Sequence, residues 1–116
     1  MPAVKPCADP MDRVEIKHHF GGGTYAKETR IPAGLILSQH VHQYDHLSLL
    51  VCGTVRLSID GEVQTIKADQ SRPICLTVKA GKEHKVESIT DVVWFCIHAT
   101  NETDPEKIDH VLIEGN

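Results

Sequence analysis

Short runs of apolar residues recur along the chain at close spacing, over positions 14–20, 25–31, 35–41, 46–52, 54–59, 62–66, 72–78, 84–89 and 92–98. Most are rich in Val, Ile, Leu or Thr, and most are bounded by Gly, Pro, Asp or Asn, the signature of an all-β sandwich or barrel. Asp60-Gly61 separates two alternating runs, VRLSI and EVQTI. It predicts a tight hairpin, because both central residues of a type I′ turn need positive φ. Gly21-Gly22-Gly23 reads as a loop. It lacks the Lys-Ser/Thr pair and the helix of a phosphate-binding loop, and carries no function. Asp104-Pro105-Glu106 suits the start of a short helical turn, where proline is tolerated. The pattern divides the chain into an extended arm (1–13), a barrel (14–100) and a tail (101–116).

Length and composition fit this picture. A chain of 116 residues is one ordinary domain, able to bury roughly 65% of its unfolded surface. With 41% hydrophobic residues but one Trp, two Phe and two Tyr, the core is built from aliphatic side chains. A net charge of -4 without long runs of one sign gives no nucleic-acid surface. No apolar run is long enough to span a bilayer, and MPAVKPCADP has no signal-peptide h-region. Cys7, Cys52, Cys75 and Cys96 are scattered without a C-x-x-C pair. They are expected to be buried free thiols in a reducing cytoplasm.

Candidate chemistry concentrates in HVHQYDH, His40 to His46. His42 and His46 have the H-x-x-x-H spacing of helical zinc sites, but Gln43 stands where that motif needs its Glu base. The flanks, GLILSQ and LSLLVCGTVRLSI, favour strands. On a strand, His40 and His42 share a face about 7 Å apart, close enough for both imidazoles to reach one ion. Gln43-Tyr44-Asp45 then turns the chain, and His46 opens the next strand. The bland reading of two strand histidines is a solvated face; a third one brought in by the turn favours a metal.

A wider window carries a resemblance. Gly34, His40, His42, His46 and Gly53 have the spacing G-x5-H-x-H-x3-H-x6-G. This resembles the first motif of the cupin superfamily, with His46 at the position of the usual Glu. Gly81-Lys82-Glu83-His84 resembles part of the second motif, although Lys79 replaces its Pro, Ser88 its Asn, and Pro73 its leading Gly. The resemblance covers roughly residues 30 to 98. It implies a single-domain jelly-roll β-barrel, usually dimeric, with His40, His42, His46 and His84 as metal ligands. The change at His46 is similar to small four-histidine cupins.

Four neutral imidazoles would leave a divalent ion its full +2 charge and, in octahedral geometry, two open positions. Imidazole suits Zn, Cu, Fe and Ni; the resemblance favours Mn or Fe. Such an ion favours an anionic oxygen chelate and lowers the pKa of bound water. The expected partner is a small-molecule ligand or substrate, with no nucleic acid and no membrane, and the expected assembly is a homodimer. By fold-level analogy the leading class is a metal-dependent oxidoreductase, dioxygenase-like. The alternatives are an isomerase or lyase, or a non-catalytic metal- or ligand-binding module. Tyr44, Asp45 and His98 are candidates to assist at the site. Arg30, Arg56 and Arg72 are candidate anchors for a substrate carboxylate. His18, His19 and His110 read as structural or exposed.

Overall fold

The structure is a computed structural model that describes residues 11–39, 41, 44–69 and 71–108. Among these residues there are eight strands, β1 (Glu15–Gly21), β2 (Thr24–Ile31), β3 (Ile36–Gln39), β4 (His46–Ile59), β5 (Glu62–Ala68), β6 (Ile74–Val78), β7 (His84–Ser88) and β8 (Val92–Ala99). All pair antiparallel, in the order β1-β2-β8-β4-β7-β3, with β5 and β6 also on β4. The result is an all-β jelly-roll barrel. No helix of the described residues is long and apolar enough to cross a membrane.

The long strand β4 builds the barrel by belonging to both sheets. Its first half pairs with β6 and β8, and its second half with β5 and β7. The sequence pattern predicts two strands here, 46–52 and 54–59, where the structure has one. Inward positions fall on His46, Ser48, Leu50 and Cys52, then on Val55 and Leu57. The alternation therefore changes parity around Gly53, beside a bulge where the pairing with β8 shifts between Leu50 and Cys52. An extra residue in one strand bends it and turns its other face inward. Gly53 has φ +108, and a Cβ there would lie 2.5 Å from the Asp91 carbonyl oxygen. Only glycine lets the chain pass so close to β8 at this corner.

Between the sheets lie Ile31, Leu50, Val55, Leu57, Ile66, Val86, Val92 and Trp94, all buried. Each aliphatic side chain among them contributes about 1.5–3 kcal/mol by leaving water. A second cluster joins Tyr25 to Ile108, with Phe20 packed against it. Ile108 follows a turn in which the Glu106 amide donates to Asp104 Oδ1 at 2.8 Å, the capping expected at Asp104-Pro105. The predicted hairpin at Asp60-Gly61 is present, with φ of +47 and +90.

The cysteines depart from expectation in two ways. Cys96 is a buried free thiol, and burial pushes its pKa up. Cys75 is free but exposed, because Leu76, not Cys75, packs against the core. Cys52 is disulfide-bonded, with its partner outside the described residues. A buried half-cystine and a buried thiol leave the same apolar pattern in sequence, so LLVCG could not separate them.

Candidate metal centre

Of the four expected ligands, the structure describes His46 and His84; His40 and His42 lie outside the described residues. β3 ends at Gln39, paired with His84 on β7. His46 opens β4 and His84 opens β7, and both side chains are buried. Among the described residues, no three His, Cys, Asp or Glu side chains group closely enough to hold an ion.

His84 has the hydrogen bonding of a metal ligand. Its Nδ1 lies 2.9 Å from the carbonyl oxygen of Lys82. That carbonyl can only accept, so the proton sits on Nδ1 and the lone pair on Nε2. Nε2 is buried and has no hydrogen-bond partner among the described residues. A buried acceptor left in that state costs about 1–3 kcal/mol, and a metal ion would satisfy it. Ligating histidines use their second nitrogen in this way. The residues present therefore fit an ion at this position.

The chain around His84 is held by two loops. The Glu83 amide donates to Asp60 Oδ1 at 3.1 Å, tying the β4–β5 hairpin to the residue before the histidine. Asp45, next to His46, accepts from the Ala80 amide at 2.8 Å and from Lys79 Nζ at 3.4 Å. The Ala80 amide first, and then the Lys79 charge, hold the Asp45 carboxyl below the usual aspartate range. Asp45 thus joins the segment leading into His46 to the one leading into His84. It faces solvent, and Tyr44 is 58% exposed, so the ring does not enter the barrel.

Ser88 replaces the motif Asn with a specific task. Its buried hydroxyl accepts from the Leu35 amide at 3.0 Å and donates to the Pro32 carbonyl at 2.5 Å. It anchors the turn through Gly34 at the entry to β3.

β8 presents Trp94, Cys96 and His98 to the interior. Strand alternation puts these three on one face, and the pairing of β8 with β2 and β4 turns that face inward. His98 stacks on His46, with ring centroids 4.3 Å apart. Two of the candidate anchors are spent on ion pairs: Arg30 Nε lies 3.0 Å from Glu28 Oε2, and Arg56 Nη1 2.8 Å from Glu87 Oε1. Arg72 is exposed, beside Asp69. None is placed to anchor a ligand inside the barrel. His18 and His19 sit on β1, as structural residues bonded to Tyr25 and Glu28; His110 lies outside the described residues.

A depression of about 340 Å³ borders His46 and His98, but its other walls are Thr24, Asp45, Leu47, Thr77, Ile97 and Ala99. Leu47 pairs with both Thr77 and Ile97, so these side chains share one face of the sheet. That face is opposite to the buried imidazoles, and the depression lies on the outside of the barrel.

No family model and no curated protein matches the chain. Solved structures do. A cupin superfamily protein from Desulfitobacterium hafniense is 14% identical, with a TM-score of 0.65 over 81% of this chain and 84% of that one. A conserved protein of unknown function from Streptococcus pyogenes is 14% identical, with a TM-score of 0.62 over 79% and 78%. A mutant form of the salicylate 1,2-dioxygenase of Pseudoaminobacter salicylatoxidans is 12% identical with a TM-score of 0.63; the match covers 74% of this chain and 26% of the dioxygenase. At these identities the likeness concerns the backbone, and it establishes that this chain has the cupin fold.

Proposed function

We propose that this protein binds one divalent transition metal ion through His40, His42, His46 and His84, with Mn or Fe favoured over Zn, Ni and Cu. The observation that carries the reading is His84, whose Nδ1 is tied to the Lys82 carbonyl while Nε2 is buried without a hydrogen-bond partner among the described residues. The ion would supply Lewis acidity toward a small oxygen-chelating molecule. The protein's own residues bury the imidazoles of His46 and His84, fix the His84 tautomer and hold the segments leading into these two histidines together through Asp45. The reaction class proposed is a dioxygenase-like oxidation of a small substrate, in line with the salicylate 1,2-dioxygenase that shares the fold.

One observation favours a second reading, a non-catalytic metal- or ligand-binding module. Glu28 is the one buried carboxylate among the described residues, and it bonds to His19 and Arg30 at the β1–β2 surface. Among the described residues, then, no buried carboxylate base accompanies His46 and His84. Elemental analysis of protein purified without added metal tests binding, with about one ion per chain expected. Oxygen uptake with diketones, catechols and alkenes then separates the oxygenase from the binder. A homodimer belongs to the same proposal: Leu47 is 46% exposed on the outer sheet face, beside half-buried Ile97. Light scattering that shows a monomer at micromolar concentration would remove it.

A further inference from the structure

Strand placement fixes the Cβ of a histidine but leaves its ring free to turn, because χ2 of an imidazole is broad. His84 is held by the Lys82 carbonyl. The ring of His46 is held by a column of rings crossing four strands. His46 on β4 stacks on His98 of β8 at 4.3 Å and 27°. His98 stacks on Tyr25 of β2, its direct cross-strand partner, at 6.0 Å and 22°. Tyr25 stacks on Phe20 of β1, again its register partner, at 5.1 Å and 27°.

Tyr25 is the fully packed member of the column. Tyr25 is fully buried under Ile108, and its hydroxyl is 2.7 Å from Nδ1 of His18. Turning the His46 ring would move His98 against Tyr25, which is fully buried in close-packed surroundings. His98 meets His46 ring face to ring face, so its part is to orient that ring.

We infer that His98 is a positioning residue for the metal centre: backed by Tyr25, it sets the ring plane of His46 and with it the direction of that ligand's lone pair. The inference rests on the proposal that His46 binds a metal. It assigns the orienting part to the planar ring of His98.

The test compares His98→Ala, His98→Leu and His98→Phe with the wild type, using Cu(II) ion alone as the probe. The readouts are affinity, the Cu(II) electron paramagnetic resonance spectrum and thermal stability. Removing a group that orients a ligand costs about 10- to 100-fold in metal affinity. His98→Ala and His98→Leu should lose that much and show a shifted, broadened spectrum. The leucine variant fills the space without a planar ring and covers the case in which the alanine variant fails to fold. His98→Phe should restore affinity and spectrum. A merely structural role would lower stability while leaving the spectrum of the bound ion unchanged, and that result overturns the inference. So does a phenylalanine variant as impaired as the alanine one, since the nitrogens would then be required. A wild type that binds no Cu(II) sinks the metal reading instead. The column is then read in metal-free protein from the ring-current shift of the His46 Cε1 proton, which should collapse in His98→Leu; an unchanged shift refutes the stack.

Discussion

The Nδ1 of His84 and the carbonyl oxygen of Lys82 lie 2.9 Å apart, and this contact decides which nitrogen of the imidazole is left to bind. If Nε2 is a ligand, His84→Ala should leave much less than one ion per chain after dialysis, while the fold persists. Elemental analysis with circular dichroism measures both. Metal content equal to wild type would remove His84 from the site.

Metal retention should depend on pH in the direction set by imidazole chemistry. Only neutral imidazole coordinates, so protons compete with the ion at each ligand. Free histidine titrates near pH ~6.5, and bound metal moves the midpoint lower. Retention should be complete at neutral pH and fail steeply as pH drops through the mildly acidic range. A metal-binding curve that stays flat down to pH ~5 would indicate carboxylate ligands instead.

Gly53 and Asp91 give a test of the corner. In Gly53→Ala the new Cβ would meet the Asp91 oxygen at 2.5 Å and Val92 Cγ2 at 2.8 Å, on a backbone with φ +108. Strain and overpacking together should cost about 2–5 kcal/mol. Gly21→Ala, where nothing among the described residues lies within 4 Å, is the control and should be nearly neutral. Urea denaturation of the two variants compares them directly. Equal midpoints would mean that β4 turns the corner without needing glycine.

Glu28 links stability to pH. The Arg30 guanidinium first, with His19 and Lys17 adding to it, holds the Glu28 carboxyl below its ordinary value of 4.5. A depressed carboxylate stabilises the fold above that value, and the stabilisation disappears as pH falls through the lower folded value. Glu28→Gln should therefore cost about 1–3 kcal/mol at neutral pH. The gap from wild type should narrow below pH 4.5. Chemical denaturation across that range measures it, and a gap independent of pH would mean that the charge on Glu28 contributes nothing.

The sequence by itself determined the strand content, the turns and two of the buried histidines. Those properties depend on near neighbours. Period-two alternation marks strands, Asp60-Gly61 supplies the positive φ of a hairpin, and the spacing from Gly34 to Gly53 singles out His46 as the start of an inward-facing strand. His40 and His42 are expectations of the same motif, outside the described residues.

What only the tertiary structure decided involves residues far apart in the chain. Alternation in VVWFCIH grouped Trp94, Cys96 and His98 on one face, but only pairing with β2 and β4 turned that face inward and laid His98 against His46. Arg30 and Arg56 looked like ligand anchors until packing gave each an acidic partner. The two runs of β4 read as separate strands because the residue at their junction reverses which side is buried. The need for glycine there comes from the Asp91 carbonyl, brought close by the fold. Local pattern records which side of a strand is apolar; which strands face one another, and which ring then meets which, follows from how the whole chain closes around its core.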